Sequence, residues 1–408
     1  MVIGDIKGID LGTSRFQRII ENDSLYVDKT RMIENFLKSG SEVHLIARQR
    51  RLGKSLNMDM LRCFLTDRAD LRHLFKGLYI ESSSVWSKAN SAPVFYFDFK
   101  GLGTETYLKQ IINKVIDHVC VFADPDKLDF SLKRKFQQII DDPLCATDSL
   151  YFLTEVAYKI TGKRSYILID EYDKLLLENY DSSKYEEIRA FETALLSSAL
   201  KGNQYLEKAL LTGVMRISHE SMLSGLNNIV TFDVFNDNVY THDYGLTDDE
   251  VEDLSKLVNF NTGDVRAWYN GIRVGGHTIY NIYSVMSYID RGSFECYWGK
   301  SGTMDMIINL LNDKRKATLV KLLNGEKVEV TISSRVSLRN LSGKGSDQAF
   351  YCLLVQAGYL ALDGVAPVQA TSAIVSIPNA ELMTVWKEFL LERLYPDIPQ
   401  GAATHVFL

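Results

Sequence analysis

The stretch Val43-His-Leu-Ile-Ala-Arg-Gln-Arg-Arg-Leu-Gly-Lys-Ser55 decides the fold. Val43 to Ala47 is an apolar run bounded by polar residues, the pattern of a buried strand. A short basic turn follows and closes on Gly53-Lys54-Ser55. Leu56, Met60, Leu61 and Phe64 then recur at helical spacing. Strand, turn ending in Gly-Lys-Ser, then helix is the layout of a phosphate-binding loop. The residue types fit that chemistry. Backbone N–H groups at a helix N-terminus face an anion, and the helix dipole favours it. Gly53 lets the backbone approach closely. Lys54 reaches terminal phosphates, and the Ser55 hydroxyl suits Mg²⁺. The loop residues Arg50, Arg51, Leu52, Gly53, Lys54, Ser55 and Leu56 are thus the candidate nucleotide contacts. The consensus opens with Gly six residues before the Lys, where this chain has Arg48. Taken alone, the stretch also fits an ordinary basic turn before a helix.

Two further stretches favour the phosphate loop. Tyr166-Ile-Leu-Ile-Asp-Glu-Tyr-Asp173 reads as a second buried strand ending in two adjacent carboxylates. Buried charge is costly unless paired or metal-bound, so Asp170 and Glu171 belong at the strand's C-terminal end. Ligands of open α/β sheets bind at that end. Asp170 is the candidate Mg²⁺ partner, directly or through water, and Glu171 the general base. Ala209-Leu-Leu-Thr-Gly-Val-Met-Arg-Ile-Ser218 is a third apolar strand, broken at Thr212-Gly213. Thr212 and Arg216 are candidates for sensing the γ-phosphate. By itself, Arg216 reads more readily as a surface or ion-pair arginine.

At these residues the chain resembles a known family. Ile9-Asp-Leu-Gly12, Tyr26-Val-Asp-Lys-Thr30, Arg48 to Ser55, Leu168 to Asp173 and Leu211 to Ser218 are similar to predicted AAA-like P-loop ATPases. So are Ser224-Gly-Leu-Asn-Asn228, Trp268-Tyr-Asn-Gly271 and Tyr280-Asn-Ile-Tyr-Ser-Val285. The resemblance is strong over residues 1–290 and weak beyond. The family's loop usually reads Arg-Pro-Arg-Arg-Phe-Gly-Lys-Thr. Arg48 is then the family's own variant, and Gln49, Leu52 and Ser55 are departures. The resemblance implies a bacterial protein that binds ATP with Mg²⁺ and acts as a nucleotide-driven switch. Family members typically end in a PD-(D/E)XK nuclease-like domain. No convincing copy of its Asp and Glu-x-Lys signature occurs before Leu408, so that domain is expected to be missing.

Composition bounds the rest. The chain has 408 residues, 46% of them hydrophobic and 24% charged, ordinary for a globular protein. A net charge of −6 gives no global basic field to attract nucleic acid. The five cysteines have no Cys-x-x-Cys spacing, so neither zinc nor a disulfide framework is indicated. That usage suits a reducing cytoplasm. The N-terminus lacks a signal-peptide core, and no apolar run is long enough to span a bilayer.

The expected fold is α/β. It has a P-loop NTPase core with a mostly parallel sheet of the additional-strand type, then a helical lid and a small α+β winged-helix-like module. The expected divisions are a lead-in at 1–40, the core at 41–240, the lid at 241–298 and the module at 299–408. Thr30 is an expected N-cap, and Asp28 and Lys29 are expected solvated charges. Residues 216–230 read as a polar loop that either responds to nucleotide or caps a helix, with His219 a poor metal ligand. Residues 245–291 read as helical, starting at a capping box, Thr247-Asp-Asp-Glu250. Arg266 or Arg273 could reach phosphate from that lid, though each also reads as a surface arginine. The second functional reading is a nucleotide-holding scaffold, with a protein or DNA partner recognised through the module. Another is the recognition half of a lost or split nuclease. Oligomerisation is open in all of these.

Overall fold

The computed structural model describes residues 2–4, 8–142, 144–216, 228–298, 302–332, 338–341, 345–364 and 372–394. At its centre is a five-stranded sheet: β1 Val43–Ala47, β2 Val94–Asp98, β3 Ser165–Asp170, β4 Leu206–Gly213 and β5 Ile229–Phe232. The strands are all parallel, in the order β2-β3-β4-β1-β5. Every residue of β1 and β3 is buried. Strands covered on both faces read as unbroken apolar runs, which is why these two are visible in the sequence. The expected additional strand is β4. It separates β1 from β3, with Ile46 opposite Thr212 and Ile169 opposite Leu211.

Helices connect the strands, as parallel pairing requires. Lys54–Leu65 follows β1, and Ser149–Thr161 precedes β3; both pack on β3. Tyr107–Phe122, Phe130–Asp141 and Tyr185–Leu200 fill the other crossovers. Between Thr66 and β2 the chain makes three 3₁₀ turns, Arg72–Phe75, Tyr79–Ser82 and Trp86–Lys88.

The lead-in is tied to the core and the lid. The Phe16 N–H donates to Asp59 on the helix after the loop, at 2.8 Å. Leu25 and Val27 share a separate apolar cluster with Leu246, Val251, Leu254 and Tyr269 of the lid. Two expectations fail here. Thr30 has helical backbone angles and does not cap; its hydroxyl donates to Asp28 instead, at 2.6 Å. Lys29 is not solvated. It is 4% exposed, and its ammonium bonds Glu250 at 2.7 Å and the His242 carbonyl at 2.9 Å.

The lid holds the helices Asp248–Val258, Thr262–Tyr269 and Ile282–Arg291. The capping box at Thr247 and Glu250 is present. The expectation of an all-helical lid is corrected by a hairpin, Ile272–Val274 with His277–Ile279. Strands of three residues are too short to show alternation.

The module has helices Gly302–Asn309, Asp313–Leu323 and Asp347–Gln356, then Ala380–Leu394. Its three-stranded antiparallel sheet places Ala373–Ser376 between Val328–Val330 and Ala361–Asp363. Helices followed by this small hairpin sheet form a winged-helix-like arrangement. The helix before the hairpin, which would enter a DNA groove in such a fold, is buried at every residue from Ala349 to Gln356.

Candidate functional site

The phosphate loop leaves β1 at Arg48, and its backbone turns left-handed in two places. Gly53 has φ +86° and Arg51 has φ +65°. Left-handed angles suit glycine and are costly for a side chain such as arginine. Lys54 opens the helix that follows and is 7% exposed. Its ammonium donates back across the loop to the carbonyls of Arg48 at 2.8 Å and Gln49 at 2.9 Å. Two of its three N–H donors thus close the loop into a ring, and one is left for an anion.

Arg48, where the consensus has Gly, is fully buried. Its guanidinium pairs with Asp237 and donates to the carbonyls of Ala47 at 2.9 Å and Phe232 at 3.1 Å. Burial pulls it down to about 10. The side chain points into the protein and fastens the end of β1 to the turn after β5, so it does not obstruct the loop. The sequence could not reveal Asp237 as its partner, because 189 residues separate them.

Across β4, the end of β3 presents the carboxylates. Asp170 is 2% exposed, and its Oδ1 accepts the Thr212 hydroxyl at 2.5 Å and the Glu171 N–H at 3.0 Å. Glu171 is half-buried and has φ +52°. Among the described residues only five non-glycines have positive φ, and Arg51 and Glu171 are two of them. Strain of this kind gathers at functional sites.

The loop that carries Lys54 and the carboxylates after β3 leave the same end of the parallel sheet, on either side of β4. Burial pushes the Lys54 ammonium below its ordinary value, and the charges of Asp170, Glu171 and Asp173 push it back up. Asp173 had no assigned role at the level of sequence; the only signal was a third acid close behind Asp170-Glu171. It is buried, and its Oδ2 accepts the N–H groups of Val214 at 2.8 Å and Met215 at 2.7 Å. The Tyr172 hydroxyl donates to the Met215 carbonyl at 2.8 Å. The Tyr172-Asp173 turn therefore holds the exit of β4 in place. Burial raises Asp173 to about 6.

The other candidates divide. Arg50 is half-buried near Lys54, and its Nε is buried without a hydrogen-bond partner among the described residues. The Arg51 side chain turns away, to the Tyr297 carbonyl at 2.6 Å. Leu52 is buried, and its carbonyl accepts the Gly245 N–H at 3.1 Å. Ser55 and Leu56 are half-buried in the first turn of the helix. Arg216 lies 3.7 Å from Asp233, Arg266 pairs with Asp248 at 2.8 Å, and Arg273 lies 4.0 Å from Asp363. Ile217 to Asn227, including His219, fall outside the described residues.

The site suits a triphosphate with a hard cation. Arg50 Nε is an unmet donor, and Lys54 keeps one N–H. The Ser55 hydroxyl and the Asp170 carboxylate are oxygen donors of the kind Mg²⁺ takes. Among the described residues no group of three or more His, Cys, Asp or Glu could hold a metal alone. Mg²⁺ at phosphate sites needs only one or two protein oxygens besides phosphate and water.

Sequence comparison assigns the fold a family. A family model described as predicted AAA-ATPase matches residues 10–223, just over half of the chain. The chain belongs to that family. This predicted AAA-ATPase is 27% identical over 398 residues to a protein of Azotobacter chroococcum mcd 1 described as "Uncharacterized protein in vnfD 5'region". The match spans 96% of this chain and 71% of the relative. Among solved structures, Drosophila ORC bound to AT-rich DNA and Cdc6 matches over 91% of each chain, at 12% identity and a TM-score of 0.24. A score that low supports nothing about this AAA-ATPase. Family membership and the β2-β3-β4-β1-β5 sheet make it a nucleotide-binding, ATPase-like protein. No helix among its described residues is long and apolar enough to cross a membrane.

Proposed function

We propose that this protein binds ATP with Mg²⁺, hydrolyses it slowly and acts as a nucleotide-driven switch. The observation that supports the reading is that the Lys54 loop after β1 and the Asp170-Glu171 pair after β3 leave the same edge of a parallel sheet on either side of β4, whose Thr212 bonds Asp170. Lys54 and Arg50 would hold the phosphates, with the N-terminal amides of the Lys54–Leu65 helix. Ser55 and Asp170 would hold Mg²⁺, which neutralises phosphate charge when bound. Glu171 would orient and deprotonate the attacking water. Its left-handed backbone sets it apart from the buried Asp170, so the two carboxylates take different roles. Thr212 would report on the γ-phosphate through Asp170. Arg216 would serve as a second sensor on leaving Asp233. Cytoplasmic location and bacterial origin are part of the same proposal.

An arginine supplied by a partner typically adds about 10³–10⁵ in rate at such sites, which is why slow turnover is expected from an isolated subunit. The experiment is ATP turnover beside equilibrium ATP binding for the parent and Glu171→Gln. The proposal expects the variant to bind ATP and lose turnover. Equal turnover in both would remove Glu171 from its role. ATP binding without turnover in the parent would favour the second reading, a nucleotide-holding scaffold. For that reading the burial of Ala349 to Gln356 favours a protein partner over DNA.

A further inference from the structure

Two side chains of the phosphate loop lead away from the nucleotide and into the C-terminal part of the chain. The first is Arg51. Its Nη1 donates to the Tyr297 carbonyl at 2.6 Å, and its guanidinium lies over the Tyr283 ring at 4.0 Å. The N–H groups of Tyr297 and Trp298 both donate to Glu381 Oε1, each at 2.8 Å. The Ser284 hydroxyl, next to Tyr283, donates to the same carboxylate at 2.9 Å. Glu381 sits in the first turn of the Ala380–Leu394 helix and is 1% exposed.

The second side chain is Gln49, which is 2% exposed. It lies against Gly358, whose φ is +85°; a Cβ there would stand 2.2 Å from Gln49 Oε1. The next residue, Tyr359, accepts the indole N–H of Trp386 on its carbonyl at 3.1 Å. Trp386 belongs to the same Ala380–Leu394 helix. Both routes from the loop therefore end on one helix, reached at Glu381 and at Trp386.

The Arg51 backbone is the point where loop shape and module contacts meet. A left-handed arginine is disfavoured because its Cβ crowds the following carbonyl, and it persists only where its surroundings hold it. Here the holding groups are Tyr283 and Tyr297. The contacts to Tyr283 and Tyr297 are made with Arg51 in this left-handed conformation. Coupling between two binding events is reciprocal.

We propose that Arg51 and Gln49 are positioning residues that couple nucleotide occupancy to the seating of the Ala380–Leu394 helix. ATP in the loop tightens that seating, and an empty loop loosens it. The relay rests on the ATP-binding reading above. Its output is the last described helix.

Hydrogen–deuterium exchange on the full chain tests it, in the Glu171→Gln background so that ATP persists. Saturating ATP with Mg²⁺ should slow exchange several-fold at the Tyr297 and Trp298 amides. In Arg51→Ala with Glu171→Gln, that protection should be lost while ATP still binds, about tenfold more weakly. Gln49→Ala should lose protection around Gly358 and Tyr359, which keeps the test available if Arg51→Ala fails to fold. ATP binding with unchanged exchange at Tyr297 and Trp298 would overturn the relay alone. No ATP binding at all would overturn the nucleotide reading, and the relay with it.

Discussion

The Thr212 hydroxyl donates to Asp170 Oδ1 at 2.5 Å, joining two strands whose residues are 42 apart in sequence. That bond ties the middle strand, β4, to the buried carboxylate at the end of β3. Thr212→Val keeps the shape and removes the donor. We expect a loss of about 1–3 kcal/mol in stability, the cost of leaving a buried acceptor short of a partner. Turnover should fall about 10²-fold if Asp170 shifts. Urea unfolding and steady-state ATPase assays check both.

Arg48 tests whether the departure from the consensus loop is structural. Arg48→Gly restores the glycine and strands Asp237 as a buried, unpaired charge. Breaking one side of such a pair costs about 3–5 kcal/mol. The variant should unfold at a markedly lower temperature, or not fold, despite its more orthodox loop. An unchanged melting temperature would show that the pair does not hold β1 to β5.

Two glycines should fail for different reasons. A Cβ on Gly213 would lie 2.7 Å from Asp173 Oδ1 and 2.7 Å from a Tyr172 ring carbon. Asp173 is held by the Val214 and Met215 amides, so it cannot give way easily. Gly213→Ala should cost about 1–3 kcal/mol by overpacking. Gly53 has open space around its Cβ position but φ +86°. Gly53→Ala should cost about 1–2 kcal/mol in backbone strain. Thermal unfolding of both variants gives the comparison.

Glu381 predicts a pH dependence. Burial raises its carboxyl to about 7 from an ordinary 4.5. The folded chain then binds more protons than the unfolded chain between those values, so stability falls as pH rises through that window. Below it the penalty is absent; above pH 7 it is complete, at roughly 3 kcal/mol. Glu381→Gln keeps an oxygen for the Tyr297 and Trp298 amides and removes the titration. The melting temperature of Glu381→Gln minus that of the parent should increase from pH 5 to pH 8. A flat difference would contradict it.

The sheet and its rim were legible because burial on both faces leaves unbroken apolar runs, as in Val43–Ala47 and Tyr166–Ile169. Helix starts were legible where capping is local: Thr247 and Glu250 are three residues apart. What escaped depends on long-range pairing. Lys29 looked solvated because Glu250 lies 221 residues away. Arg48 gave no hint of Asp237, nor Gln49 of Gly358. The Ile272–Ile279 hairpin was hidden by strands too short to alternate. Asp173 was in plain view, but its task, holding the backbone after β4, is set by strand order rather than by a local motif.

The most direct test of the site is equilibrium binding of ATP with Mg²⁺ to the parent and to Lys54→Ala. Loss of a hydrogen bond to a charged group costs about 1.5–3 kcal/mol, or roughly 10- to 150-fold in affinity. We predict submillimolar binding by the parent and a loss of at least that size in the variant. Equal affinity in the two proteins would show that Lys54 does not face a triphosphate, and the proposed role of the Asp170-Glu171 pair would fall with it.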